Sequence, residues 1–103
     1  MTEPLLTMTV DTANQPPIVT AIGEIDLSNV DEFKDSLAQA ATDASAITVD
    51  ISRVRYCDSA AIRTLFAVAA ATALTLIVSD TSPIKTLLSI SGLDRAVTVN
   101  VAQ

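Results

Sequence analysis

The hydrophobic pattern opens with alternation. Residues 5 to 10, LLTMTV, place Leu6, Met8 and Val10 on one face and Leu5, Thr7 and Thr9 on the other. That two-residue period predicts a strand, here an edge strand. Asp11 to Pro17 interrupts it as a turn: Asn14-Gln15-Pro16-Pro17 cannot be helical, and its prolines suit a loop entering a strand. Ile18 to Ile22 is a second strand, antiparallel to the first because the connection is too short for a crossover. Gly23-Glu24-Ile25-Asp26-Leu27 reads as a loop. Ser28 is then expected to cap a helix, with Asp31 three residues on in an acidic variant of the capping box. Val30, Phe33, Leu37, Ala40 and Ala41 share one side of that helix, and Asp31, Glu32, Lys34 and Asp35 share the other. Thr42 to Ser45 ends it.

Ala46 to Ile51 is a third strand, followed by a short polar turn. A second helix runs from about Ser59 to Ala71, with Ile62, Leu65, Phe66, Ala69 and Ala70 at helical spacing and expected in the core. Leu74 to Val78 is the fourth strand. Ser82 caps a third helix with Pro83 at its first position, where the missing amide hydrogen costs nothing. Ile84, Leu87, Leu88 and Ser91 lie on its inner side, Gly92 stops it, and Leu93 packs beyond the stop. Ala96 to Val101 closes the chain as a strand with Val97, Val99 and Val101 on one face. The order β-β-α-β-α-β-α-β predicts an α/β fold: one domain over residues 1–103, a mixed and mostly parallel sheet, and helices packed on it.

Composition narrows what such a domain can do. Half the residues are apolar but only 3% aromatic, so the core is aliphatic and small-residue. The 12 acids outnumber the 6 bases for a net charge of −6, which argues against nucleic acid and anionic membrane surfaces as partners. There is no histidine, which removes the usual hydrolase triads and most zinc sites. No acidic cluster has metal spacing, and the two glycines, Gly23 and Gly92, form no phosphate-cradling loop. Neither cofactor nor metal is expected, and an enzyme is the least favoured class. Cys57 is the only cysteine, so no internal disulfide can form and a cytoplasmic setting fits. Met1-Thr2-Glu3-Pro4 lacks the basic start of a signal peptide. The longest apolar stretch, Leu65 to Leu74, is too short for membrane insertion.

The candidate chemistry sits between the third strand and the second helix. Asp58-Ser59 opens the helix just past the carboxyl end of a buried strand, where open α/β sheets bind ligands and partners. Free amide groups and the helix dipole there are expected to favour an anion such as a phosphate on Ser59. The bland alternative is that Ser59 is only a helix cap. Asp26 and Asp58 likewise suit loop acids making turn hydrogen bonds. Arg53, Arg55 and Arg63 are half of all the bases. Arg53 reads as solvated, whereas Arg63, one helical turn after Ser59, is within reach of a phosphate or of a partner's acid. Cys57 reads as a small core residue.

Three segments in order carry a resemblance: Gly23-Glu24-Ile25-Asp26-Leu27-Ser28, Tyr56-Cys57-Asp58-Ser59-Ala60-Ala61-Ile62, and Ser82-Pro83 through Ser91-Gly92-Leu93-Asp94-Arg95. The chain resembles, over essentially its full length, the STAS family of bacterial anti-sigma factor antagonists. The resemblance implies a regulatory, non-enzymatic protein whose unphosphorylated form binds an anti-sigma factor with serine kinase activity and frees its sigma factor. It makes Ser59 the phosphoacceptor and implies a phosphatase that resets it. It places Asp26, Leu27, Ser28, Asp58, Ala60, Ala61, Ile62 and Arg63 at the partner surface. The family usually reads Asp-Ser-Ser-Gly-Leu here; Ala60 and Ala61 replace the second serine and the glycine. The alternative within the resemblance is a STAS subunit of a membrane lipid-transport ATPase complex, docking constitutively through the second helix.

Overall fold

A computed structural model describes residues 4–102. The strands are β1 (Leu6–Asp11), β2 (Ile18–Ile25), β3 (Ala46–Cys57), β4 (Ala73–Ser79) and β5 (Thr98–Ala102). The helices are α1 (Val30–Ala41), α2 (Ser59–Ala71) and α3 (Pro83–Ser91), followed by a short 3-10 turn at Leu93–Arg95. The strands form one sheet in the order β1-β2-β3-β4-β5. β1 is antiparallel to β2, and the remaining pairs are parallel. The expected mixed, mostly parallel α/β architecture is the one observed.

Burial alternates along the central strands, so one face of the sheet carries the core and the helices cover it. Val19, Ala21 and Ile25 of β2, Ile47, Val49 and Ile51 of β3, and Leu74, Leu76 and Val78 of β4 point inward. Phe33, Leu37 and Ala40 of α1, Ile62 and Leu65 of α2, and Ile84 and Leu88 of α3 meet them in one cluster, with Leu93 fully buried beside α3. The opposite face, with Thr20, Thr48, Asp50, Thr75 and Ile77, is half-buried. Ser82 caps α3 by accepting the Ile84 N–H, and Gly92 ends it in a left-handed conformation (φ 81°), as expected.

Several boundaries differ from the sequence expectation. β2 continues through Gly23, Glu24 and Ile25, which were expected in a loop. Gly23 makes this possible: its φ is 119°, and a methyl group there would collide with the Leu5 carbonyl oxygen, which instead accepts the Glu24 N–H at 3.0 Å. β3 runs on to Cys57, where a polar turn was expected. Its register against β2 shifts twice, so extra β3 residues oppose β2 and two bulges replace the turn. The bulges keep Val54 and Cys57 buried while turning Arg53, Arg55 and Tyr56 outward. β5 begins at Thr98, and its Val101 is exposed. In α2, Phe66 is 37% exposed and Ala70 is exposed rather than in the core. The stripe that reaches the sheet is Ala61, Ile62 and Leu65.

Candidate functional site

β2 and β3 end side by side: Ile25 pairs with Cys57, and the Asp58 N–H donates to the Ile25 carbonyl at 3.2 Å. The loop Asp26–Asn29 and the start of α2 therefore leave the sheet at the same edge. Asp58 joins them. Its extended backbone (φ −101°, ψ −173°) makes it the N-cap of α2, and its Oδ1 accepts the N–H groups of Ala60 (3.0 Å) and Ala61 (3.3 Å). Its Oδ2 accepts the Leu27 N–H at 3.1 Å, from a loop 31 residues away in sequence.

Ser59 is therefore not the cap. It is the first residue of α2, and it is exposed. The amides of Ala60 and Ala61, expected to be free for an anion, already bind Asp58. The helix dipole favours a charge on Ser59, and the nearest basic residue along α2 is Arg63, exposed at i+4.

The loop before α1 is held by its own polar groups. Asp26 Oδ1 accepts the backbone N–H of Ser28 at 2.9 Å and also its hydroxyl. Asn29, not Ser28, is the N-cap residue of α1, and it makes no side-chain cap bond to the helix. Its amide turns back instead: Oδ1 accepts the Asp26 N–H at 2.9 Å and Nδ2 donates to the Glu24 carbonyl at 3.0 Å. The capping box expected between Ser28 and Asp31 is absent because α1 begins one residue later, after Asn29, and the Ser28 hydroxyl donates to Asp26 instead.

The expected partner residues divide by exposure. Leu27 is 76% exposed, and Ser28 and Arg63 are exposed. Asp26 and Asp58 are half-buried. Ala60 is buried, and Ala61 and Ile62 lie inward in the core, where their side chains hold α2 rather than face a partner. Cys57 is 7% exposed, and its thiol is pushed up to about 11 by burial first and by the Asp58 carboxylate second. That suits the core role expected of it and opposes a redox one. Arg55 forms an exposed ion pair with Glu24 at 3.4 Å.

The sequence reading missed a groove between α1 and α2. It is open to solvent, with a volume of about 570 Å³, and is lined by Leu27, Val30, Lys34, Ala38, Arg63 and Val68 among others. The available signal was the run of alanines, Ala38 and Ala41 on α1 and Ala67 and Ala71 on α2, whose short side chains leave the space. Among the described residues no group of three or more Cys, Asp or Glu could hold a metal ion. No described helix is long and apolar enough to cross a membrane.

Comparison with known proteins places these features. Residues 8–100 match the family described as Mlab, STAS domain. No curated protein matches the chain. Among solved structures, an anti-sigma factor antagonist from Mycobacterium paratuberculosis superposes with a TM-score of 0.83 at 20% identity, covering 92% of this chain and 85% of that one. The anti-sigma factor antagonist SpoIIAA in its unphosphorylated form gives 0.73 at 15% identity, covering 94% and 89%. The phosphorylated form of the Bacillus cell fate determinant SpoIIAA gives 0.67 at 17% identity, covering 94% and 92%. At these identities the structural likenesses establish a shared fold. The family match spans nearly the whole chain, and the chain belongs to the STAS domain family.

Proposed function

We propose that the protein is an anti-sigma factor antagonist. Its unphosphorylated form binds an anti-sigma factor that is also a serine kinase and so frees a sigma factor. Phosphorylation of Ser59 ends that binding, and a phosphatase restores it. The role is regulatory and non-catalytic. The observation that carries this reading is the exposure of Ser59 directly after Asp58, on the first turn of α2 and at the carboxyl edge of the sheet. An exposed hydroxyl at a helix start is accessible to a kinase, and a phosphate there lies next to Asp58, which holds Leu27, and one helical turn before Arg63. The likeness to antagonists solved in unphosphorylated and phosphorylated forms supports it.

The test is incubation with a candidate kinase–anti-sigma factor of the same genome and ATP, followed by phosphopeptide mass spectrometry. The expected product is a single phosphate on Ser59. Ser59→Ala should abolish phosphorylation, retain partner binding, and change stability by less than about 0.5 kcal/mol, because Asp58 makes the cap. Binding with no phosphorylation and no displacement of a sigma factor would reject the reading.

The α1–α2 groove and the Mlab description of the matched family favour a second reading: a subunit docking constitutively on a lipid-transport ATPase. In that case widening Ala38 or Ala67 to Trp, which fills the groove, should abolish complex formation while Ser59→Ala and Ser59→Asp leave it unchanged.

A further inference from the structure

We propose that Asp58 is a positioning residue through which charge at Ser59 is transmitted to Leu27. The inference rests on the reading of Ser59 as the phosphoacceptor and concerns how that site is read out. The Asp58 carboxylate divides its two oxygens between two elements. Oδ1 holds the first turn of α2 through Ala60 and Ala61, and Oδ2 holds the Leu27 N–H across the gap to the loop before α1. Ser28 and Asn29 are tied within that loop, through Asp26 and the Glu24 carbonyl. The Asp58–Leu27 hydrogen bond is thus the side-chain link between the loop and α2. Leu27 is 76% exposed and stands at the rim of the α1–α2 groove, so the link sets where a large apolar side chain meets a partner.

A phosphate on Ser59 places nearly two negative charges on the residue next to this carboxylate. The amides of Ala60 and Ala61 are already committed to Asp58, so they cannot turn to the phosphate without releasing it. Repulsion therefore falls on the half-buried Asp58, and the single, longer-range bond to Leu27 yields before the two bonds that belong to the helix. The fold stays and the loop moves. Phosphorylation would then act on the partner surface by releasing Leu27 as well as by adding charge.

The experiment uses the isolated full chain and needs no partner, so its outcome is independent of which partner is real. Amide hydrogen exchange and amide chemical shifts are compared for wild type, for Asp58→Asn, and for protein with phosphoserine incorporated site-specifically at position 59. Asparagine keeps one oxygen to cap the helix but presents no second acceptor to Leu27. Leu27 exchange should rise about tenfold in Asp58→Asn and at least threefold with phosphoserine, with Ala60 and Ala61 little changed. Asp58→Ser, whose shorter hydroxyl can cap the helix without reaching Leu27, should repeat the Asp58→Asn result. Unchanged Leu27 exchange in both Asp58 variants, or with phosphoserine, overturns the link. So does equal loss of protection at Leu27, Ala60 and Ala61, which would show the helix start fraying as a whole. Failure of kinase labelling with Leu27 released in both Asp58 variants would reject the antagonist reading and leave the link standing.

Discussion

The residues around Ser59 divide their work by burial and hydrogen bonding. Asp58 supplies the cap, Ser59 stands free at the surface, and Cys57 sits behind both in the core. The thiol is the clearest case of environment setting chemistry. Its value rises from 9.0 to about 11, so at pH 8 the thiolate population is about 100-fold lower than for an unperturbed cysteine. Alkylation by iodoacetamide at pH 8 should be slower than in the unfolded chain, because the thiol is both buried and held protonated. The folded state binds this proton more tightly than the unfolded state. Its contribution to stability is therefore complete below pH 9 and is lost as pH rises through about 11. Urea midpoints measured between pH 8 and pH 11 should fall across that window, and Cys57→Ala should flatten the fall.

At the scale of elements, helical spacing identifies an apolar stripe but does not say how wide a strip of it the sheet can cover. α1 and α2 each carry a phenylalanine, and the two have opposite fates. Phe33 is fully buried, on a helix that packs over β1, β2 and β3, whereas Phe66 is 37% exposed. Phe33→Ala should cost about 3–5 kcal/mol and Phe66→Ala less than about 1 kcal/mol by chemical denaturation. The same logic explains the groove. α1 and α2 run side by side on the sheet, and the alanines between them are too short to close the gap.

For the whole molecule, a net charge of −6 makes any added negative charge on a partner surface matter beyond its immediate neighbours. Under the proposed function, Ser59→Asp should weaken binding to an anti-sigma factor without altering the circular dichroism spectrum, since the sheet and the core cluster do not involve Ser59. Raising the salt concentration should recover part of the affinity, because exposed charges are screened beyond about 8–10 Å at physiological ionic strength. Calorimetry at two salt concentrations checks both. Equal affinity of Ser59→Asp and wild type would reject the switch and favour constitutive docking.

The order of elements, the mixed and mostly parallel sheet, the span of α2 and both caps of α3 were legible in the sequence. Each depends on residues a few positions apart: alternation in LLTMTV, helical spacing in α1, serine-proline and glycine at the two ends of α3. The candidate site was legible as a location, because Asp58-Ser59 marks a strand-to-helix junction. Tertiary structure decided which of the two residues caps. Asp58 is held there by Ile25 and Leu27, contacts that no local pattern announces. It also decided the length of β3, since two bulges were needed to keep Val54 and Cys57 against the core, and the extension of β2 through Gly23, which depends on the close approach of Leu5. Local periodicity is written in neighbouring residues. Caps, bulges and the exposure of Phe66 are settled by segments that meet only when the chain folds.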